Sequence, residues 1–378
     1  MSDAIQFIDL KAQQQRIRSQ IDARIKQVLD HGKYIMGPEV FELEEHLSKF
    51  VGVKHAISVA SGTDALLMAL MALGVGPGDA IFTTPFTFIA TAEVVSLLGA
   101  TPVFVDIDPH TYNLDPEKLT AVLADFDLPL KPKGIIPVDL FGLPADYDAI
   151  NEIARQHNLF VLEDSAQGLG GSYKGRQACS LADIATTSFF PAKPLGGYGD
   201  GGAIFTDDDE VAGKLRSIRV HGQGTDKYEN IRIGLNGRLD TLQAAVLLPK
   251  LDIFAAEIKE RQRVAETYGR ALSDVPGIIP PTVPGEYSSA WAQYSLQVEQ
   301  RQVLQDAFKE QGIPSAVYYP KPLHLQTAFS VLGSRAGDFP IAEETSQRIM
   351  SVPMHPYLQE TEILRIVDCI AKSMANVA

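Results

Sequence analysis

From residue 56 onward, short runs of β-branched and apolar residues alternate with stretches of helical spacing. AISVA, DAIFTTP, TPVFVDID, GIIPVDL, LFVLED, IATTSFF and GAIFT are the strand candidates. Helical patterns lie between several of them, over residues 64–73, 90–98, 116–123 and 146–157. Strands that are apolar throughout must be covered on both faces, and helices between them supply the cover. The pattern therefore predicts a mostly parallel α/β sheet between helical layers. With 378 residues, 45% of them apolar, the chain is long enough for a large α/β unit plus a second, smaller one.

The flanks read differently. Residues 14–31 carry Ile17, Ile21, Ile25, Val28 and Leu29 at helical spacing, and Pro38 opens another helix that runs to Phe50. One long helical pattern covers residues 239–272, followed by the proline-rich VPGIIPPTVPGEY. Beyond it a strand is expected over 294–298, a helix over 303–311 and a last helix from Glu360. We expect a large α/β domain over residues 1–250, opening with a helical segment, and a smaller α+β domain over 251–378.

Charge and cysteine content narrow the function classes. A net charge of −14 leaves no basic surplus to neutralise nucleic-acid or anionic-membrane phosphates. Two distant cysteines, Cys179 and Cys369, read as reduced thiols, and the charged N-terminus lacks the apolar stretch of a secretion signal. The apolar run over 65–75 is too short to span a bilayer. These features predict a cytoplasmic protein that binds neither nucleic acid nor membrane.

The candidate chemistry lies at strand ends. In SFFPAKPLGGYGDGGAIFT, Gly197, Gly199 and Gly202 match a dinucleotide-binding fingerprint, which would make the chain a NAD-dependent oxidoreductase. That fingerprint needs a strand before it and a helix after it, and here a strand follows. Lys193 stands between two prolines just past the run TTSFF. Ligands of open α/β sheets bind beyond the carboxyl ends of strands, and a lysine buried there can lose its proton and attack a carbonyl. Asp164 ends the run LFVLED, 29 residues earlier. A strand-end carboxylate paired with a strand-end lysine suits pyridoxal phosphate, whose aldehyde takes the lysine and whose pyridine nitrogen needs an acidic partner. Residues 61–64, Ser-Gly-Thr-Asp, open a helix whose first-turn amides could hold a phosphate or simply be capped by a hydroxyl. Phe86 and Phe88 suit either the core or a stack on a planar ring.

Taken in order, Gly-Thr-Asp-Ala, Glu-Asp-Ser-Ala-Gln, Ser-Phe-Phe-Pro-x-Lys-x-Leu-Gly, Gly-Asp-Gly-Gly-Ala and Asn-x-Arg-Leu-Asp resemble the DegT/DnrJ/EryC1/StrS family of sugar aminotransferases, over essentially the whole chain. The resemblance implies a pyridoxal phosphate enzyme of fold type I, usually a homodimer with shared active sites. It implies Lys193 as the Schiff-base lysine, Asp164 facing the pyridine nitrogen and Gln167 near the ring hydroxyl. Gly62, Thr63, Asp64 and Ser188 would belong to the phosphate region, and Phe88 would stack on the ring. Asn236 would reach the phosphate from the neighbouring subunit; Gly237 beside it stands where serine is frequent. Family members that have lost the lysine dehydrate their substrate, so Lys193 favours transamination. L-glutamate would donate the amino group, leaving 2-oxoglutarate, and a nucleotide-linked keto-sugar would accept it.

The run around Lys193, with GLNGRLDTLQAAVLLPKLDIF, is most similar to members acting on UDP-2-acetamido-2-deoxy-3-oxo-D-glucuronate, whose 3-amino product serves O-antigen synthesis. A dTDP-3-oxo- or UDP-4-oxo-6-deoxyhexose is the alternative acceptor. By the same resemblance Arg238, Tyr318, Tyr319 and His324 would line the nucleotide-sugar site. An arginine fork suits a carboxylate or a diphosphate; an ion pair between Arg238 and Asp240 is the competing reading. A non-catalytic regulatory member of the family is a further alternative, against which the complete Lys193, Asp164 and Gln167 set argues.

Overall fold

The computed structural model describes residues 5–226 and 228–375. Helix α1 (Leu10–His31) starts where the Asp9 carboxylate accepts from the Ala12 amide at 2.8 Å and stops at Gly32, whose φ of 69° a glycine adopts without strain. Helix α2 (Pro38–Val51) follows. The chain then enters the alternating region: β1 (His55–Val59), α3 (Gly62–Ala72), β2 (Asp79–Thr83), α4 (Ala90–Leu97), β3 (Thr101–Phe104), α5 (Pro116–Ala124), β4 (Lys131–Ile136), α6 (Tyr147–His157) and β5 (Phe160–Asp164). A two-residue pair, β6 (Ser172–Tyr173) and β7 (Arg176–Gln177), precedes β8 (Ile184–Ser188), β9 (Gly202–Thr206), α7 (Asp209–Ile218) and the long α8 (Thr241–Leu272).

The central sheet has seven strands in the order β1-β9-β8-β5-β4-β2-β3. All neighbours are parallel except β9, which runs antiparallel to both β1 and β8. Parallel strands need a crossover long enough to carry the chain back, usually a helix. The link over 189–201 has no helix, so β9 returns antiparallel, with Gly202 opposite Ser188. The carboxyl ends of the other six strands therefore share one edge of the sheet.

Adjacent residues of each strand point to opposite faces, and both faces are dry. Ile57, Ile81, Ile136, Leu162, Ile184 and Ile204 pack beneath α3, α4 and α7. Their neighbours Ala56, Ala185 and Phe205 pack with residues of α2 and α8, while Ala80, Ile135 and Val161 pack with α5 and α6. This two-sided burial is why the strands read as continuous apolar runs.

The C-terminal part holds β10 (Ile278–Ile279), β11 (Tyr287–Ser288), β12 (Tyr294–Val298), α9 (Arg301–Glu310), α10 (Pro340–Arg348), β13 (Ile349–Val352) and α11 (Glu360–Ala375). Strands β10, β12 and β13 form an antiparallel sheet, while β11 joins β6. Leu296, Leu304, Phe308, Ile363, Ile366 and Ile370 are its buried centre.

Helix α8 serves both cores. Phe254 and Ile258 pack with the large domain, and Val264, Tyr268 and Leu272 with the small one, so the handover falls between residues 258 and 264. Ile5 is buried in the small-domain core, and the Met354 amide donates to the Phe7 carbonyl at 3.2 Å. Ile5 and Phe7 precede the Asp9 cap, so they lie outside α1 and are free to cross to the small domain.

Besides the two-residue strands β6, β7, β10 and β11, the elements α10 and β13 lie outside the sequence expectations. Ile349 leaves α10 directly into extended backbone, with no glycine or proline between helix and strand to mark the change. The expected strand TPVFVDID ends early, at Phe104, because Asp106 turns away to accept from the Ile341 and Ala342 amides at the start of α10. Among the described residues, no helix is long and apolar enough to cross a membrane. Cys179 and Cys369 are buried free thiols.

Candidate active site

Lys193 lies in the turn between β8 and β9. Its amide donates to the Phe190 carbonyl at 2.9 Å, and the Gly197 amide closes the loop onto the Phe189 carbonyl at 2.8 Å. Part of the side chain remains open to the cleft, yet the amine sits deep among protein atoms. Burial pushes its pKa down to about 8, against the opposing pull of the Asp164 charge. A fall from 10.5 to about 8 raises the neutral fraction at pH 7 roughly 300-fold.

Asp164 is the last residue of β5, the parallel neighbour of β8, with Thr186 opposite it. It is only 4% exposed. Thr91 Oγ1 donates to Oδ2 at 2.8 Å and the Ala166 amide to Oδ1 at 3.2 Å. Burial still raises its pKa above the usual carboxylate range, although the Thr91 and Ala166 hydrogen bonds and the Lys193 charge oppose the rise. A buried carboxylate held against desolvation by neutral donors is a site that a cationic ligand group would stabilise.

The opening of α3 forms the neighbouring wall. Ser61 Oγ caps the helix by accepting from the Asp64 amide at 3.0 Å, which leaves the amides of Gly62 and Thr63 as first-turn donors without intrahelical acceptors. A Cβ on Gly62 would stand 2.7 Å from Ser188 Cβ, so only a glycine lets the helix start meet the end of β8. The structure thus brings Gly62, Thr63, Asp64 and Ser188 to one place. Burial raises the Asp64 carboxyl, with the Ser61 hydrogen bond opposing.

Gln167 accepts from the Phe141 amide at 2.6 Å and donates from Nε2 to the Tyr319 hydroxyl at 3.2 Å. Phe88 is 55% exposed and its ring lies 6.5 Å from that of Tyr319, whereas Phe86 is fully buried and belongs to the core. Tyr318 meets Tyr319 and Phe7 edge-on. Tyr319 therefore joins Gln167 and Phe88 at the mouth of the site.

The remaining expected residues divide. The Gly237 carbonyl accepts from the Ala60 amide at 3.0 Å, holding the segment that bears Asn236 beside the entry to α3, while Asn236 itself is exposed. The buried Nε of Arg238 has no hydrogen-bond partner, so it makes no bond to Asp240. His324 is 2% exposed, with Nε2 3.1 Å from Glu343, its ring 4.6 Å from Phe339 and a buried Nδ1 that has no hydrogen-bond partner. Leu323 beside it is an anchor, its amide donating to the Pro85 carbonyl at 2.8 Å; the apolar company of Phe339 draws His324 inward. The dinucleotide fingerprint also fails. Gly202 opens β9 instead of preceding a helix, and Cβ atoms on Gly197 and Gly199 would stand 2.9 and 2.8 Å from Gln243, a close approach that accounts for both glycines.

Three residues of the site were not singled out from sequence. Thr91 holds Asp164; its only signal is its place one turn beyond Phe88. Gln243 and Lys250 bind the loop behind Lys193 and look in sequence like ordinary members of a long helix.

Residues 15–371 match the DegT/DnrJ/EryC1/StrS aminotransferase family. The chain belongs to that family. It is 53% identical to the UDP-2-acetamido-2-deoxy-3-oxo-D-glucuronate aminotransferase of Pseudomonas aeruginosa, over 95% of this chain and 97% of the relative. It is also 37% identical to the dTDP-3-amino-3,4,6-trideoxy-alpha-D-glucose transaminase of Streptomyces venezuelae, over 97% and 95% of the two chains. The crystal structure of a family aminotransferase from Brucella abortus superposes with a TM-score of 0.94 at 49% identity, covering 98% of this chain and 99% of that one. A putative sugar aminotransferase from Streptococcus pneumoniae in its PLP form superposes at 0.88 with 26% identity, over 95% and 97%. The fold is that of the family's pyridoxal phosphate enzymes, and the protein is a pyridoxal phosphate-dependent sugar transaminase.

The local chemistry fits the cofactor. The first-turn amides of α3 suit its phosphate, the desolvated Asp164 suits a protonated ring nitrogen, and the depressed Lys193 suits its aldehyde. Only the neutral amine attacks, so uptake of pyridoxal phosphate by apoprotein is expected to quicken about tenfold per pH unit below pH 8 and to level off above it. Stopped-flow absorbance measures this; a rise that continues past pH 9.5 contradicts the depressed amine.

Proposed function

We propose that this protein transfers the amino group of L-glutamate to carbon 3 of UDP-2-acetamido-2-deoxy-3-oxo-D-glucuronate. The observation that carries this reading is the 53% identity, over 95% of the chain, to an enzyme of that name. When bound, pyridoxal phosphate supplies an electron sink for the charge left as the substrate's α-proton departs. Lys193 Nζ, whose pKa burial lowers, would accept that proton and return it on the other side of the exchange. Asp164 would keep a proton on the ring nitrogen by its negative charge, and Thr91 keeps Asp164 oriented. Gln167 would hold the ring hydroxyl, Phe88 would cover the ring, and the Gly62 and Thr63 amides with the Thr63 and Ser188 hydroxyls would take the phosphate beside Asp64.

Arg238 binds the acceptor's carboxylate or diphosphate, supported by its unpartnered Nε. Tyr318 and Tyr319 line the same pocket. The protein acts in the cytoplasm on a precursor of O-antigen polysaccharide, as a homodimer in which Asn236 reaches the partner's phosphate site. Exposed Ile231 and Ile233 near Asn236, and Ile35 paired across a bridge to Asp240, support such an interface.

The test compares kcat/KM for the UDP-3-oxo-glucuronate, a dTDP-3-oxo-6-deoxyhexose and a UDP-4-oxo-6-deoxyhexose, with L-glutamate as donor. The uronate is expected to lead by at least about 100-fold, because a site built for a charged group rejects substrates that leave it unpaired. A deoxyhexose that matches or exceeds it overturns the assignment.

A further inference from the structure

Lys250 is 0% exposed, in the first third of α8, directly after Pro249. Its Nζ donates to the Gly196 carbonyl at 2.6 Å and lies 4.3 Å from the centre of the Tyr198 ring. Two turns earlier on the same helix face, Gln243 Oε1 accepts from the Tyr198 amide at 2.8 Å. Helix α8 therefore grips the segment 196–198 at two backbone points, three to five residues after Lys193. The opposite side of this loop is closed by Gly197 on Phe189, and Lys193 stands within the closed stretch.

A buried ammonium is costly to desolvate, and burial lowers the Lys250 pKa to about 8, with the Glu257 charge opposing. An apolar residue of similar length would avoid that cost, so the charge calls for a role besides packing. Its hydrogen bond is charge-assisted and its ring contact directional, both suited to fixing a loop in one conformation.

We propose that Lys250 is a positioning residue for Lys193: with Gln243, it locks the glycine-rich loop so that the catalytic amine is held in register with the end of β5. The proposal rests on the transaminase reading above. Lys250 touches neither substrate nor cofactor and acts only through the loop.

Lys250→Met keeps the length and removes the charge. In apoprotein, hydrogen–deuterium exchange of the segment 194–200 is expected to quicken about tenfold or more, since a lost charge-assisted bond costs about 1.5–3 kcal/mol, while the strands β4, β5 and β8 keep wild-type protection. In the loaded enzyme the single-turnover rate with L-glutamate is expected to fall about 100-fold with little change in the glutamate concentration for half-maximal rate, as for a misplaced catalytic group. Lys250→Arg is expected to recover part of both effects. Gln243→Ala, which removes the second grip on a half-buried face, gives a milder copy and serves if Lys250→Met does not fold. Wild-type exchange over 194–200 and a wild-type turnover rate in a folded variant overturn the proposal. Uniformly faster exchange in all strands overturns it too, by making Lys250 a general stability residue. A wild-type protein that does not react with glutamate instead sinks the transaminase reading, and the apoprotein exchange result still decides the role of Lys250 in the loop.

Discussion

Replacing Lys193 with alanine is expected to abolish the absorbance band of the lysine-bound cofactor and to lower the rate with L-glutamate by at least about 10³-fold. Two contributions are lost together. In the proposed roles the amine would anchor the aldehyde covalently and, with its pKa lowered to about 8, would carry the proton at the reacting carbon. General acid–base transfer alone is worth roughly 10²- to 10⁴-fold. Absorbance titration with pyridoxal phosphate reads the first loss and stopped-flow with glutamate the second. Added small amines are expected to restore part of the rate. A Lys193→Ala protein that keeps both band and rate removes Lys193 from the chemistry.

The second large effect is expected at Asp164. Asp164→Asn preserves the shape and can still accept from Thr91, but it loses the charge. Leaving a buried cation without its partner costs about 3–5 kcal/mol, so kcat is expected to fall some 10²- to 10⁴-fold. Because Asp164 also raises the Lys193 amine, the substitution is expected to move the acidic limb of cofactor uptake below pH 8. The direction follows from the charge: the carboxylate favours the protonated amine, so its removal lets the amine lose its proton at lower pH. Steady-state kinetics and the uptake profile check the two halves, and an unchanged kcat contradicts the assigned role.

Much of this site is legible in the sequence because its residues follow strand ends. Asp164 and Lys193 stand directly after apolar runs, and the strand order, once built, places β5 beside β8. The capped start of α3 is legible for the same reason: Ser61 and the glycine after it mark both the cap and the close approach to Ser188. What stays hidden are contacts made across long sequence separations by residues of ordinary type. Thr91 reaches Asp164 over 73 positions and Lys250 reaches Gly196 over 54, and neither spacing has a local signature. The burial of His324 is hidden for the same reason, since Phe339, 15 positions on, packs against its ring. Strand β13 went unseen because it follows α10 without a break, and turn residues are the usual marker of such a boundary.

The measurement that tests the account most directly is the absorbance of the pyridoxal phosphate-loaded protein through one full cycle. Added L-glutamate is expected to bleach the lysine-bound band, and UDP-2-acetamido-2-deoxy-3-oxo-D-glucuronate, generated in place, to restore it with release of the 3-amino sugar. A band that glutamate leaves untouched, or one that this sugar fails to restore, contradicts the account.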